Sequence, residues 1–466
     1  MTARLDRLGS AREVAQIGAV IGRDFSYNLL REISGMGDAP LQAALEKLAD
    51  ADILLVQGLP PASDYRFKHA LIQDAAYENL LKSRRQVLHR RTAEVLRDQF
   101  ADTAAAEPAL LAHHFTQAGL TEAAIEWWRT AGQRSLARAA LAEAGEHLKR
   151  ALDQIAILPA TPDLRREEIK LEVAFANATT LAGDIVDGKE HYDRALAIYD
   201  PVEHRSLTTR SGRDIGVALL SFRSNCVWSL GYPTASRNDA ERAVKNAREI
   251  GHPATLMYAL IRAANTYTFC RDYAAAHAQF DEFIALAGER GKAFENLGRG
   301  RLLALSGKAS DAVRAITSGI TLLRSTGANL YEPWHLWHLA MAYADLGQHD
   351  DARRCIEDAI DKVGRSNEKC WEAEVNRIAG EVVLKSPAPD TQQAEKHFEH
   401  ALSVAREQQM KSFELRAAMS LARLWRDQGK VQQARELLAP VYGWFTEGFD
   451  TRDLREAKAL LEELAA

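Results

Sequence analysis

Apolar residues in the first hundred positions recur at helical spacing. Val14, Ile17, Gly18 and Ile21 share one face, and Leu41, Ala44, Leu45 and Leu48 repeat the pattern in a helix entered through Asp38-Ala39-Pro40. Between them the spacing predicts a short helix from Phe25 to Ile33, closed by Ser34-Gly35-Met36-Gly37. The period then changes. Ile53-Leu54-Leu55-Val56, a turn-rich stretch (Gly58, Pro60, Pro61, Ser63, Asp64) and the alternating Tyr65-Arg66-Phe67-Lys68 predict a β-hairpin. Three helices followed by a hairpin predict a winged helix. Two more helices follow, one carrying Ile72, Ala76 and Leu80, the other Leu88, Thr92, Val95 and Leu96.

Further along, small residues return at steps of 36 to 42: Ser236, Ala276, Ala312, Ala352, Ala394 and Ala434. Four residues after each stands a larger or apolar residue in most copies (Ala240, Phe280, Ile316, Ile356, Phe398, Leu438), and eight after each another apolar one (Val244, Ile284, Ile320, Ile360, Leu402, Tyr442). Gly307, Gly347 and Gly429 precede three of them by five positions, where a turn between antiparallel helices needs a permissive backbone. The preceding helix is marked by Leu336, Leu339, Ala340 and Tyr343 in one copy and by Ala418, Leu421, Ala422 and Trp425 in another. The pattern resembles the tetratricopeptide repeat, although most copies are longer than its usual ~34 residues. A lone helical hairpin cannot bury its apolar face, so such units stack into a solenoid. Weaker, irregularly spaced matches (Gly119 with Ala124, Trp128, Ala131; Ala144, Leu148, Ala151; Gly188, Tyr192, Ala195) extend the array toward residue 105.

Composition narrows the function. Hydrophobic residues are 47% and charged residues 26% of 466, ordinary values for a folded, water-exposed chain. The 59 Lys and Arg against 64 Asp and Glu leave a net charge of −5, with no chain-wide pull toward nucleic acid or anionic lipid. Residues 1–100 hold 14 basic against 13 acidic residues, so DNA is disfavoured as a partner despite the cationic cluster from Lys82 to Arg91, which reads first as a solvated helix face. Cys226, Cys270, Cys355 and Cys370 have no C-x-x-C spacing and read as reduced core thiols. The first residues lack a secretory apolar core and no long apolar run follows, which gives the expectation of a cytoplasmic chain with no membrane contact.

Asp6-Arg7-Leu8, the run from Val14 to Phe25 and above all Phe67-Lys68-His69-Ala70-Leu71-Ile72-Gln73-Asp74-Ala75-Ala76-Tyr77 resemble the winged-helix segment of bacterial STAND-type signalling ATPases. The nearest kind joins a class III adenylate/guanylate cyclase domain, an AAA-like ATPase and C-terminal tetratricopeptide repeats. The resemblance covers about residues 4–160, and Phe445-Thr446-Glu447-Gly448-Phe449-Asp450-Thr451 at the far end. It implies that His69 is a nucleotide sensor reaching phosphates held by a neighbouring ATPase domain; the plainer reading is a histidine that caps the helix after the wing. Relatives continue upstream, so Met1 reads as an internal methionine of a longer frame, or the partner domains are separately encoded.

A phosphate cradle needs G-x-x-x-x-G-K-[ST] after a strand. The one near match, Gly183 to Glu190, puts Glu190 in place of the hydroxyl, adds two aspartates and has no preceding strand. The paired metal-binding aspartates of a cyclase are not recognisable, nor is a catalytic Ser, Cys or metal-binding motif. His335 with His338, and His397 with His400, have i, i+3 spacing but no completing ligand, and read as satisfied surface histidines. His113 and His114 diverge by about 100° on a helix. Neither an enzyme, a cofactor nor a metal is expected.

The concave face of the solenoid, carried over by register, takes Tyr258, Ile261, Asn265 and Phe269 from one copy, Phe294 and Arg301 from the next, Trp334, Trp337 and Met341 from the third, and Arg416, Met419, Arg423 and Arg426 from the last. Aromatics and arginines dominate interface energetics, so this face is expected to grip an acidic or apolar protein or peptide segment. Trp334 and Trp337 read equally well as core between repeats. The expected architecture is all-α with a small β-hairpin wing: a winged-helix domain over 1–100, degenerate helical repeats over 101–215 and a tetratricopeptide-like α-solenoid over 216–466. The expected role is a noncatalytic regulatory and protein-interaction module of a STAND or adenylate cyclase-like system, its partner a peptide segment or a separately encoded ATPase or cyclase domain. The alternatives are a winged-helix transcriptional regulator that binds DNA, and a fragment that similarity alone would class as a cyclase or ATPase.

Overall fold

The computed structural model describes residues 9–204, 213–326 and 330–465; Asp6-Arg7-Leu8 lies outside them. The chain divides into two compact units, one of residues 1–132 with 147–159, the other of residues 133–146 with 160–466.

In the N-terminal unit, α1 (Ser10–Ile21), α2 (Tyr27–Ser34) and α3 (Asp38–Asp50) precede the hairpin of β2 (Leu54–Leu59) and β3 (Ala62–Phe67). A strand absent from the sequence reading, β1 (Asp24–Ser26), pairs antiparallel with β3 and gives the order β1-β3-β2. Phe25 therefore belongs to a strand, and the short helix starts only at Tyr27, where the Ser26 hydroxyl caps the Leu29 N–H at 3.2 Å. Along β3 the burial alternates, with Ser63, Tyr65 and Phe67 inward. Phe25 fills the space over Gly18, where an added Cβ would lie 2.7 Å from its ring. Then come α4 (Ala70–Glu78), α5 (Lys82–Gln99), α6 (Ala101–Ala106) and α7 (Pro108–Ala118). The unit boundaries cut through α8 (Thr121–Ala137) and α9 (Leu141–Ile155). These two successive helices carry the first two irregular matches, which explains their spacing.

The C-terminal unit is a run of antiparallel helix pairs: α10 (Pro162–Leu181) with α11 (Ile185–Ile198); after the short α12 (Pro201–His204), α13 (Ile215–Ser229) with α14 (Pro233–Ile250); α15 (Pro253–Phe269) with α16 (Tyr273–Ala287); α17 (Lys292–Leu305) with α18 (Ala309–Ser325); α19 (Glu332–Asp345) with α20 (His349–Ser366); α21 (Glu372–Leu384) with α22 (Thr391–Glu407); and α23 (Lys411–Asp427) with α24 (Val431–Gly443), closed by α25 (Arg452–Glu463). First helices pack on first helices of the next pair, giving a solenoid of tetratricopeptide-like hairpins. All six small residues of the repeat are fully buried. Gly183 to Glu190 forms the turn and first residues of α11, not a phosphate loop: Asp184 caps the helix, and a Cβ on Gly188 would lie 2.1 Å from the Thr180 hydroxyl oxygen. The segment Phe445 to Thr451 returns to α14, where Glu447 accepts from the Thr234 and Ala235 N–H groups at 2.9 and 3.0 Å.

Close helix crossings set a test of the packing. A Cβ at Gly380 would lie 2.4 Å from the fully buried ring of Phe398. Gly380→Ala is expected to lower stability by about 1–3 kcal/mol through overpacking, although alanine favours a helix by about 1 kcal/mol. A urea midpoint that rose instead would show that the crossing is slack.

Candidate functional site

The first helices of three successive pairs present a stripe at i, i+3/i+4 spacing to one cavity of about 960 Å³. α15 contributes Tyr258, Ile261, Arg262 and Asn265, α17 contributes Phe294, Leu297 and Arg301, and Trp334 and His335 stand on α19. At the rim Phe294 is 50% and Leu286 46% exposed, whereas Arg301 is 3% exposed and belongs to the inner wall.

Arg301 is held without a counter-charge. Its guanidinium lies 3.9 Å from the centroid of the Trp334 ring, donates to Asn265 Oδ1 at 2.8 Å and to His335 Nδ1 at 3.1 Å. Its Nε–H has no hydrogen-bond partner, and among the described residues no carboxylate pairs with it. Burial pulls its pKa down to about 9, which still leaves it charged at neutral pH. Accepting at Nδ1 requires a neutral His335, and burial, then Arg301 and His338, push that imidazole far below its ordinary range. Arg262 lies 4.4 Å from the Phe222 ring centroid, and Arg213 lies 4.6 Å from that of Tyr258. The Tyr258 hydroxyl is buried without a hydrogen-bond partner. No Asp or Glu is among the described residues lining this cavity.

A second cavity, about 470 Å³, takes Phe269, Trp337, Met341, Met419 and Arg423 in its lining and shares Trp334. Here the charges are balanced. Arg377 holds Glu374 through two hydrogen bonds of 2.9 and 2.7 Å, Arg416 reaches Asp453 at 2.8 Å, Arg271 lies 3.0 Å from both Asp453 and Glu456, and Arg423 pairs with Glu456 at 3.3 Å. Burial would raise the Glu374 carboxyl, but the charge and hydrogen bonds of Arg377, with Arg416, outweigh it and hold the pKa at about 2.

Twelve of the thirteen residues placed by register on the concave face thus line one or other cavity. Trp334 and Trp337 also belong to the core between repeats: each is 4% exposed, and Trp334 stacks on Phe269 at 5.0 Å and on Trp371 at 5.6 Å. Arg426, placed on the same face, instead pairs with Asp427 and Glu463 and lines neither cavity. Arg262, Arg213, Tyr331 and His335 were missed; Arg262 stands four residues after Tyr258, a spacing that could have found it. His335 and His338 are buried, not surface histidines, because α19 is covered on every side by neighbouring helices; His338 donates from Nδ1 to the Trp334 carbonyl at 2.8 Å. Cys226, Cys270 and Cys370 are buried free thiols, and Cys355 is part-exposed.

His69 occupies the N-cap position of α4, exposed, with no side-chain capping hydrogen bond. In the cationic cluster, Arg84 pairs with Glu13 at 3.0 Å, Arg85 donates to the Leu80 carbonyl at 2.9 Å, Arg90 pairs with Glu94 at 2.8 Å and Arg91 donates to the Glu32 carbonyl at 3.0 Å. Although His113 is exposed and His114 buried, both rings lie within 6 Å of His89, at 5.8 and 5.1 Å. Among the described residues no helix is long and apolar enough to cross a membrane, and no group of His, Cys, Asp and Glu could hold a metal ion.

No protein-family model matches the chain. An uncharacterized protein of Rhizobium meliloti (strain 1021) is 36% identical over 154 residues, 33% of this chain and 15% of that protein. Solved structures similar to this chain are helical repeat proteins of the tetratricopeptide kind. A STAND protein of Pyrococcus horikoshii with a tetratricopeptide repeat sensor is 13% identical, with a TM-score of 0.48 over 97% of this chain and 64% of that one. The apo form of RapI is 15% identical, with a TM-score of 0.40 over 64% and 99%. A Rap protein complexed with competence and sporulation factor is 13% identical, with a TM-score of 0.37 over 97% and 99%. This chain thus spans less than two thirds of the curated relative and of the Pyrococcus protein.

Proposed function

We propose that this chain is a noncatalytic regulatory module that receives a protein or peptide segment in the larger cavity of its C-terminal unit. The observation that carries the reading is that cavity: first helices of successive hairpins converge on it with aromatic, aliphatic and arginine side chains, the residue types that dominate recognition. In the fuller reading the chain serves a STAND-type, cyclase-linked signalling system. The helices and hairpin of residues 1–100 are its winged helix, residues 101–215 are degenerate repeats, and residues 216–466 receive the segment. His69, exposed ahead of α4, senses a nucleotide held by a neighbouring ATPase domain. DNA is disfavoured as the ligand because Arg84, Arg85, Arg90 and Arg91 already have partners within the chain.

The test is selection of random peptides displayed on phage against the full chain. Selected peptides should compete with one another and lose binding by tenfold or more when Ala254→Trp fills the cavity. Peptides that bind wild type and filled variant equally would overturn the assignment.

A further inference from the structure

Resting on that reading, we infer that the segment taken by the cavity is apolar and carries an Asp or Glu whose side-chain carboxylate seats on Arg301. Arg262 and Arg301 line this cavity, and among the described residues no Asp or Glu stands in its walls. In the neighbouring cavity of the same unit, Arg271, Arg377, Arg416 and Arg423 each pair with an Asp or Glu. Removal of a cation from water without a counter-ion is costly, and Arg301 has only neutral neighbours, Asn265, His335 and the Trp334 face. Its Nε–H is buried without a hydrogen-bond partner, so the guanidinium is under-satisfied as well as uncompensated, and an incoming carboxylate gains charge neutralisation there.

Position decides which carboxylate. The rim is wide and apolar, with Phe294 and Leu286 half exposed, while Arg301 is almost fully covered. A side chain can reach inward while the backbone that carries it stays at the rim among Met257, Phe294 and Leu286. A chain terminus would have to bring its own backbone to the inner wall. The apolar lining excludes a segment built mainly of charged residues, whose other carboxylates would lose water without a partner. Arg262 adds attraction at longer range.

The experiment uses the full chain and two pools of acetylated, amidated pentapeptides, with Leu, Ile or Phe at the outer four positions and Glu or Gln at the centre. Captured peptides are counted by mass spectrometry, and the best are titrated. The Glu peptides are expected to bind at least tenfold more tightly than their Gln counterparts, and Arg301→Gln should shrink that ratio to below twofold. The wild-type comparison needs no variant, so early melting of R301Q leaves the test intact. Equal binding of both pools would overturn the role of Arg301 while leaving the cavity a peptide site. Binding restored only by freeing the peptide's own C-terminus would overturn the choice of a side-chain carboxylate. Failure of both pools, with no displayed peptide sensitive to Ala254→Trp, would remove the cavity reading as well.

Discussion

Glu374→Ala should destabilise the C-terminal unit by about 3–5 kcal/mol, the cost typical of removing one partner from a buried ion pair. The Glu374 side chain is 5% exposed, and both its oxygens accept from Arg377, itself 16% exposed. Arg416 approaches the same carboxylate at 3.6 Å while holding Asp453, so the substitution strips charge from two cations at once. Arg377 keeps only Glu381 at 3.4 Å and the Ser420 hydroxyl at 3.3 Å. The control is the Lys385–Asp345 pair, about a third exposed on both sides, for which Asp345→Ala should cost under about 1 kcal/mol. Urea denaturation followed by tryptophan fluorescence reads both. A loss below about 1 kcal/mol for Glu374→Ala would mean that water reaches this network.

Acid should weaken each unit by about 3 kcal/mol between pH 7.5 and 5.5, because each holds two buried neutral histidines and each contributes about 1.4 kcal/mol over that interval. In the N-terminal unit His89 and His114 are both 1% exposed. Their Nδ1 atoms share one hydrogen bond of 2.8 Å, and the Tyr77 hydroxyl pairs with His89 Nε2 at 3.0 Å. Burial, then His113 and Arg85, lower His89 to about 4; burial, then His89 and His113, lower His114 to about 3. In the C-terminal unit burial lowers His338 to about 3 and sends His335 well below its ordinary value. The folded pKa values lie below the unfolded value of about 6.5, so the unfolded chain takes up protons that the folded chain refuses. Stability is complete above that value and falls as the pH drops through it. Glu374 acts in a lower window, its contribution fading as the pH falls from about 4.5 toward 2. Urea midpoints at the two pH values test this, and H89Q/H114Q should flatten the dependence in the N-terminal unit. Equal midpoints at both pH values for wild type would contradict the burial of these rings.

Much of this architecture can be read from residue size. Ser236, Ala276, Ala312, Ala352, Ala394 and Ala434 stand where two helices cross, and only a small side chain fits there, so the repeat survives in the sequence even where the rest has drifted. The hairpin was legible because Tyr65 and Phe67 alternate with Arg66 and Lys68, although Gly58, Ser63 and Asp64, read as turn, belong to its strands. Asp24–Ser26 was not, since three residues give no period and the strand exists only through its pairing with β3. The buried histidines were hidden for a different reason. A polar residue on a helix reads as solvent-facing, but Glu332 to Ala340 of α19 is buried residue after residue by the pairs on either side. The candidate site shows the same limit: side-chain type and register brought Asn265, Arg301 and Trp334 together on paper, yet the missing counter-charge depends on where every carboxylate of the unit ends up.

On the proposed reading a ligand enters between α15, α17 and α19. Hydrogen–deuterium exchange on the full chain, with and without the central-Glu pentapeptides, tests it most directly. Exchange is expected to slow in the helices carrying Tyr258, Arg301 and Trp334, with little change in the N-terminal unit. Protection confined to the Lys82–Arg91 helix or to the charged cavity around Glu374 would contradict it.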